Sequence, residues 1–217
     1  LQKLTRTDLS SASFPWLSAR QIDVNLAPSV AARVNFVGEL GWELHHPIEY
    51  QNHIFDALMS AGVEFGLKPF GIRAMDAMRL EKSYRMVGTE MSIEYAALES
   101  GLDRFVQLQK PDFIGRSGLL AWQQKGFANS FVTLAVKDTT DRDVIGGNPI
   151  YKEGKLIGRA TSGGYGFRIG KSLALAMVAP DCTDIGTSLE IDILGDRFAA
   201  EIIEESPFDP ANERLRV

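Results

Sequence analysis

The stretch from Pro149 to Ile157, PIYKEGKLI, indicates how the second half of the chain folds. Short apolar runs flank Glu153-Gly154, a dipeptide typical of a tight β-hairpin turn. The same arrangement recurs around Gly195-Asp196, and Phe131–Val136 alternates as a strand does. Residues from about 128 onward therefore predict four to six short strands with tight turns and no helix, a pattern typical of a small β-barrel or sandwich.

The residues before this region mix strand and helix patterns. Four stretches alternate as half-buried strands do: Gln21–Leu26, Ala32–Val37, Trp42–Leu44 and Leu102–Leu108. Three others have apolar residues at helical spacing: Ile48–Gly62, Ile72–Lys82 and Leu119–Gln124. We therefore expect an α+β protein, with a mixed α/β lobe over residues 1–116 and, over residues 117–217, a linker helix followed by a small antiparallel β-barrel.

The composition excludes several classes of protein. The chain has 217 residues, 45% of them hydrophobic, and a net charge of only −5, which excludes a disordered chain. The longest clean apolar stretch, Leu173–Pro180, is far shorter than the ~20 residues of a membrane helix. A mildly acidic protein is also a poor candidate for binding the phosphate backbone of nucleic acid. We expect neither a membrane nor a nucleic acid as partner.

Cys182 is the only cysteine, so the chain can form no intrachain disulfide and no thiolate metal cluster. A reducing compartment is expected, either the cytoplasm or, in a eukaryote, the mitochondrial matrix. Nothing at the start has the pattern of a signal peptide, so we expect none. Because the sequence begins at Leu1 in mid-pattern, we expect it to be a piece of something longer.

Three polar groupings have simple structural interpretations. His45-His46 and His53 suggest a metal site, but consecutive strand residues point to opposite faces, so we expect none. Ser162–Gly166 is glycine-rich yet lacks the features of a phosphate loop or dinucleotide fingerprint, and is interpreted as a structural turn. Asp76 and Arg79 lie three residues apart on a predicted helix, which favours a solvated ion pair.

Glu39 has the setting that most suggests a ligand. It stands between Gly38 and Leu40-Gly41, in the break between two predicted strands. Small neighbours allow a ligand to approach the backbone, and a carboxylate accepts two parallel hydrogen bonds from a planar N–H/NH₂ edge. Guanidinium groups and the 2-amino-4-oxo face of a pterin carry such an edge. Taken alone, these residues favour the alternative of a solvated turn glutamate.

A set of motifs resembles the glycine-cleavage T-protein (aminomethyltransferase) superfamily. The motifs run in order along the chain: VGELGWEL at 37–44, KPFG at 68–71, AMDAMRLEK at 74–82, LESGL at 98–102, DFIGR at 112–116, IGRATSG at 157–163 and the strand Leu173–Val178. Lys82 and the ending Ser206–Pro210 with Arg214 most resemble the dimethylglycine and sarcosine dehydrogenase/oxidase branch. In that branch, a folate-binding half follows an FAD-dependent half.

This resemblance implies a tetrahydrofolate site that captures the one-carbon unit of an N-methyl amine as 5,10-methylenetetrahydrofolate. In the family, the glutamate of the Gly-Glu-x-Gly motif binds the pterin, and here that residue is Glu39. Its neighbours Gly38 and Trp42 are also expected to bind folate. FAD is expected only in an upstream oxidoreductase domain, which would be a partner of this region. The implied task is to hold the folate nitrogen against an electrophilic carbon and shield it from water.

Three departures from the T-protein pattern bear on this site. T-proteins have an arginine where this chain has Met75. Arg73 is our substitute for that folate contact, and the alternative is that Arg73 lies in solvent. They have another arginine where this chain has Asn129-Ser130. The family's catalytic aspartate belongs to a segment upstream of Leu1, so no catalytic residue is assigned and the fragment alone is expected to be inactive. A non-catalytic folate-binding or regulatory module and a folate-dependent S-demethylase stay open as alternatives.

Overall fold

The computed structural model describes residues 1–139 and 141–216 of the chain. The chain divides into an N-terminal unit, made of Leu1–Asp76 with the residues from Ala211 onward, and a barrel unit, made of Ala77–Pro210. The domain limits expected at residues 116 and 117 stay a prediction.

A three-stranded antiparallel sheet forms the centre of the N-terminal unit, in the order β1-β2-β3. Its strands are β1 (Ala19–Val24), β2 (Ala27–Ala32) and β3 (Glu43–His45). Asn25 and Leu26 join β1 to β2 with φ angles of 47° and 71°, as a tight two-residue hairpin requires. The strand expected over residues 32–37 was wrong, because β2 ends at Ala32 and an irregular connection follows it.

Three α-helices lie in the described residues: α1 (Gln51–Gly62), α2 (Ile72–Leu80) and α3 (Arg116–Lys125). Each matches a predicted helix. Helix α1 buries Ile54 against the sheet residues Ile22 and Val24 in the core of the N-terminal unit. The strand expected over residues 102–108 was wrong, since this segment contains a 3₁₀ turn at Asp103–Phe105. Among the helices of the described residues, none combines the length and the apolar character of a membrane span.

Six antiparallel strands close into a barrel in the order β4-β7-β6-β5-β8-β9. They are β4 (Ser130–Val136), β5 (Pro149–Lys152), β6 (Lys155–Gly166), β7 (Lys171–Val178), β8 (Ser188–Ile193) and β9 (Asp196–Ile203). The hairpin turn expected at Glu153-Gly154 is confirmed, with φ angles of 51° and 79°. The second turn uses Leu194 and Gly195, one residue earlier than expected. The α+β fold with a C-terminal antiparallel barrel is confirmed.

Alternate strand residues fill the inside of the barrel. The buried cluster draws on all six strands and includes Leu134, Ile150, Ala160, Ala176, Ile191 and Ile202. Strand β7 is buried on both faces, because Leu173 and Leu175 point away from this cluster and pack against Leu80 of α2. The interpretation of Ser162–Gly166 as a turn was wrong, since these residues continue β6 and pair with β7.

Candidate functional site

The segment that carries Glu39 is an irregular connection, residues 33–42, between β2 and β3. The side chain of Asn35 organises it, since its Oδ1 accepts hydrogen bonds from the backbone N–H groups of Val37 (3.3 Å) and Gly38 (2.8 Å). Gly38 has a φ of 75°, in the left-handed region that favours glycine. A Cβ on Gly41 would lie 2.6 Å from Asn35 Cβ, so the segment also folds closely on itself there. These features fix the backbone on either side of Glu39.

Arg33 and Trp42, at the two ends of this segment, anchor it to the core. The buried Arg33 guanidinium donates to the Phe14 carbonyl (2.7 Å) and to Ser11 Oγ (2.9 Å), and lies 5.8 Å from the Trp42 ring. Trp42 packs edge-on against Phe14, with ring centroids 4.7 Å apart. Trp42 therefore has a packing role in the N-terminal unit, and its contact with folate stays a prediction.

The Glu39 carboxylate contacts a residue near the C-terminus that the sequence did not connect with it. Arg214 Nε donates to Glu39 Oε2 at 3.0 Å. Both side chains are partly exposed, Glu39 by 38% and Arg214 by 59%. The carboxylate thus already holds a planar N–H donor, which is one of the two kinds of edge that its setting suggested.

Arg73 lies in the first turn of α2, and its side chain is exposed. Met75, where T-proteins have an arginine, is half-buried. Neither the folate contact assigned to Arg73 nor those of Gly38 and Glu39 is tested by the structure. Asn129, at the other departure, has a structural contact: its backbone N–H donates to the buried Glu99 carboxylate at 3.0 Å.

The histidines make local contacts. His45 Nε2 lies 3.1 Å from Glu43 Oε2, and His53 Nε2 lies 2.6 Å from the Asn25 carbonyl. Over residues 1–139 and 141–216, no group of three or more His, Cys, Asp or Glu side chains could hold a metal ion. A cavity of about 590 Å³ lies beside the three-stranded sheet of the N-terminal unit. Its lining includes Gln21, Val30 and His45 but not Glu39.

The barrel unit contains a buried polar cluster around Glu90, whose side chain has no exposed surface. Glu90 accepts hydrogen bonds from Ser162 Oγ (2.5 Å) and Thr161 Oγ1 (2.6 Å) on one oxygen. Its other oxygen accepts from Thr89 Oγ1 (2.7 Å), the Met86 N–H (2.9 Å) and Arg79 Nη1 (3.4 Å). The expectation that Arg79 is solvated was wrong, because it is buried against this carboxylate, whereas its pairing with Asp76 stays a prediction.

Hydrogen bonding controls the pKa of Glu90. Burial alone would raise this pKa, but three hydroxyl groups and one backbone N–H stabilise the ionised form and lower the pKa below its ordinary value. Arg79 Nη1 donates to Glu90 Oε2, the same oxygen that accepts from the Met86 N–H and Thr89 Oγ1. These contacts hold Glu90 as an ionised carboxylate inside the barrel unit.

Comparison with known proteins identifies the family. Residues 1–110 match the GCVT N-terminal domain, and residues 129–209 match the glycine cleavage T-protein C-terminal barrel domain. The chain belongs to the glycine cleavage T-protein family. The two matches cover the sheet with its Glu39 segment and the closed barrel, which are the parts that the motifs predicted.

The relatives of this T-protein family member are longer proteins. Human mitochondrial dimethylglycine dehydrogenase is 42% identical over the whole chain, which spans 25% of that protein. An aminomethyltransferase from Desulfitobacterium hafniense is 33% identical over 94% of the chain, which spans 54% of it. The crystal structure of aminomethyltransferase T from Bartonella henselae has the same fold, with a TM-score of 0.78 and 22% identity over 87% of the chain and 51% of that structure.

Proposed function

We propose that this chain is the tetrahydrofolate-binding region of a longer N-methyl amine dehydrogenase. It would capture a one-carbon unit from an amine of the dimethylglycine or sarcosine type as 5,10-methylenetetrahydrofolate. The family membership supports this proposal, as does the identity of 42% to a dimethylglycine dehydrogenase along the entire chain. FAD would belong to an upstream oxidoreductase domain, and the catalytic aspartate would also lie upstream of Leu1. A cytoplasmic or mitochondrial matrix location fits this role.

The observation that carries the proposal is the presentation of the Glu39 carboxylate. It stands on a segment that Asn35, Gly38 and Gly41 hold in one conformation, and it is accessible enough to meet a ligand. Its hydrogen bond from Arg214 Nε at 3.0 Å supports a place for N–H donors beside this carboxylate. The 2-amino-4-oxo edge of a pterin has the same donor character, so these residues suit tetrahydrofolate.

Each assigned residue then has a distinct task. Glu39 binds and orients the pterin through charge-assisted hydrogen bonds, and Gly38 leaves room for close approach. Trp42 contacts folate from a ring that also anchors the Glu39 segment to the core, and Arg73 offers a cation to the ligand. Tetrahydrofolate supplies the nitrogen that accepts the one-carbon unit. Holding that nitrogen in place is the contribution expected of this region.

The variant Glu39→Gln tests this assignment in the full-length protein. Loss of the charge-assisted contact should cost about 1.5–3 kcal/mol, which corresponds to about 10-fold to 150-fold weaker binding of tetrahydrofolate by isothermal calorimetry. Glu43→Gln is the matched control, because Glu43 lies on the adjacent strand β3 and contacts His45 instead. Equal affinity in the wild-type protein and Glu39→Gln would exclude the assigned role.

The Arg214 contact also favours a second candidate, a non-catalytic module that retains the scaffold without using Glu39 for folate. In that case, the ion pair would be a structural link between the C-terminal residues and the 33–42 segment. Wild-type protein that shows no detectable tetrahydrofolate binding would favour this candidate.

A further inference from the structure

The C-terminal residues 211–216 form a strap that belongs to the N-terminal unit. Leu215 anchors the strap, since its side chain is only 1% exposed. Next to it, the Arg216 guanidinium lies 5.2 Å from the centre of the Trp16 ring. Because Leu215 and Arg216 are both held by their contacts, the strap places Arg214 beside Glu39.

The Glu39–Arg214 ion pair is a weak contact by its exposure. Both side chains are in partial contact with solvent, and pairs of this kind change an equilibrium by about twofold to fivefold. A pterin edge that donates two hydrogen bonds to the same carboxylate competes well against it. The pair is therefore strong enough to occupy the carboxylate and weak enough to be displaced.

We propose that Arg214 is an affinity-determining residue of the folate site, which occupies Glu39 until a pterin edge displaces it. This inference rests on the proposed function. Arg214 supplies the carboxylate with a donor of the same chemical kind as the ligand, so that Glu39 is paired in the free protein. Every binding event then includes the separation of Arg214 from Glu39.

Arg214→Met tests this role, since methionine keeps the length of the side chain and removes the charge and donors. In the full-length protein, we expect Arg214→Met to bind tetrahydrofolate about twofold to fivefold more tightly than wild type, by calorimetry. The control is Arg6→Met, which removes the same charge from an exposed arginine of the N-terminal unit that lies outside the strap. It should leave the affinity unchanged. Thermal unfolding of each variant verifies that it folds.

A double-mutant cycle separates displacement from other effects of the charge. In the Glu39→Gln background, Arg214→Met should no longer change affinity, because the pair is already lost. Raising the salt from about 0.05 M to about 0.5 M should also reduce the difference in tetrahydrofolate affinity between wild type and Arg214→Met, because salt screens the exposed Glu39–Arg214 pair.

Three results would overturn the inference. Unchanged affinity in Arg214→Met would show that displacement of Arg214 has no cost. Weaker binding would show that Arg214 contacts the ligand itself. Absence of tetrahydrofolate binding in wild type and Arg214→Met alike would overturn the proposed function together with this inference, and is distinguished from the first result by the absence of any binding heat.

Discussion

At the scale of single residues, Glu90 shows how a buried charge is stabilised in the barrel unit. Its two oxygens accept from three hydroxyl groups, one backbone N–H and Arg79. Removing one member of such a buried pair leaves an uncompensated charge on the other. Glu90 is therefore expected to contribute strongly to stability, and its contribution depends on the carboxylate being ionised.

Glu90→Gln should lower the free energy of unfolding by about 3–5 kcal/mol near neutral pH. Since the folded protein lowers the pKa of Glu90, the contribution is fully present above the ordinary pKa of 4.5 and is lost as the pH falls through the folded value. Urea unfolding of both proteins between neutral and acidic pH measures this. Their difference should shrink on acidification, whereas the exposed control Glu190→Gln should stay near wild type throughout. A difference that does not depend on pH would contradict the prediction.

The sequence could identify Glu39 but not its partner. Its glycine neighbours mark a break between strands, and that information is local. Arg214 lies 175 residues away, and no periodicity connects residues at that separation. Similarly, the spacing of Asp76 and Arg79 is compatible with a solvated pair, and only the tertiary structure shows that Arg79 lies against Glu90. The partners of charged residues come from long-range contacts, which a pattern cannot contain.

At the scale of elements, the close approach of β6 and β7 depends on Gly158. A Cβ at this position would lie 2.2 Å from the Met177 carbonyl oxygen and 2.7 Å from Val178 Cα. Both obstacles are backbone atoms of the paired strand, so they cannot rotate away. The absence of a side chain at Gly158 therefore permits the pairing of these two strands.

Gly158→Ala should destabilise the barrel by at least about 1–3 kcal/mol, because β6 and β7 must separate to accommodate the methyl group. Gly118→Ala is the matched control: a Cβ there meets nothing within 4 Å, and alanine in this helix should stabilise by about 0.5–1 kcal/mol. Thermal unfolding followed by circular dichroism gives both values. A neutral Gly158→Ala would contradict the close packing of these strands.

Periodicity predicted the elements best where turns confirmed them. The hairpins of the barrel combine alternating strands with residues suited to positive φ, such as Gly154 and Gly195. Two alternating stretches, residues 32–37 and 102–108, were expected to be strands but are not. The residues after Ala32 instead form a turn whose backbone hydrogen bonds to the Asn35 side chain. In the 102–108 segment, Phe105 is 70% exposed and lies in a 3₁₀ turn. Alternation alone does not provide a neighbouring strand to pair with.

At the scale of the whole molecule, two distant motifs of the resemblance meet within the barrel unit. Lys82, fully buried, donates from Nζ to the carbonyls of Phe208 (3.0 Å) and Asp209 (2.7 Å). Ser206 Oγ donates back to the Lys82 carbonyl at 2.7 Å, and the Phe208 N–H to that of Glu81 at 3.0 Å. The ending Ser206–Pro210 is thus held by the residues that follow α2.

The central claim is that Glu39 binds the pterin of tetrahydrofolate, and a crystal structure of the full-length protein with this ligand tests it most directly. We expect both Glu39 carboxylate oxygens at about 2.7–2.9 Å from N–H groups of the pterin edge, with Arg214 moved off the carboxylate. A pterin bound away from residues 38–42, with Arg214 still donating to Glu39, would contradict the claim.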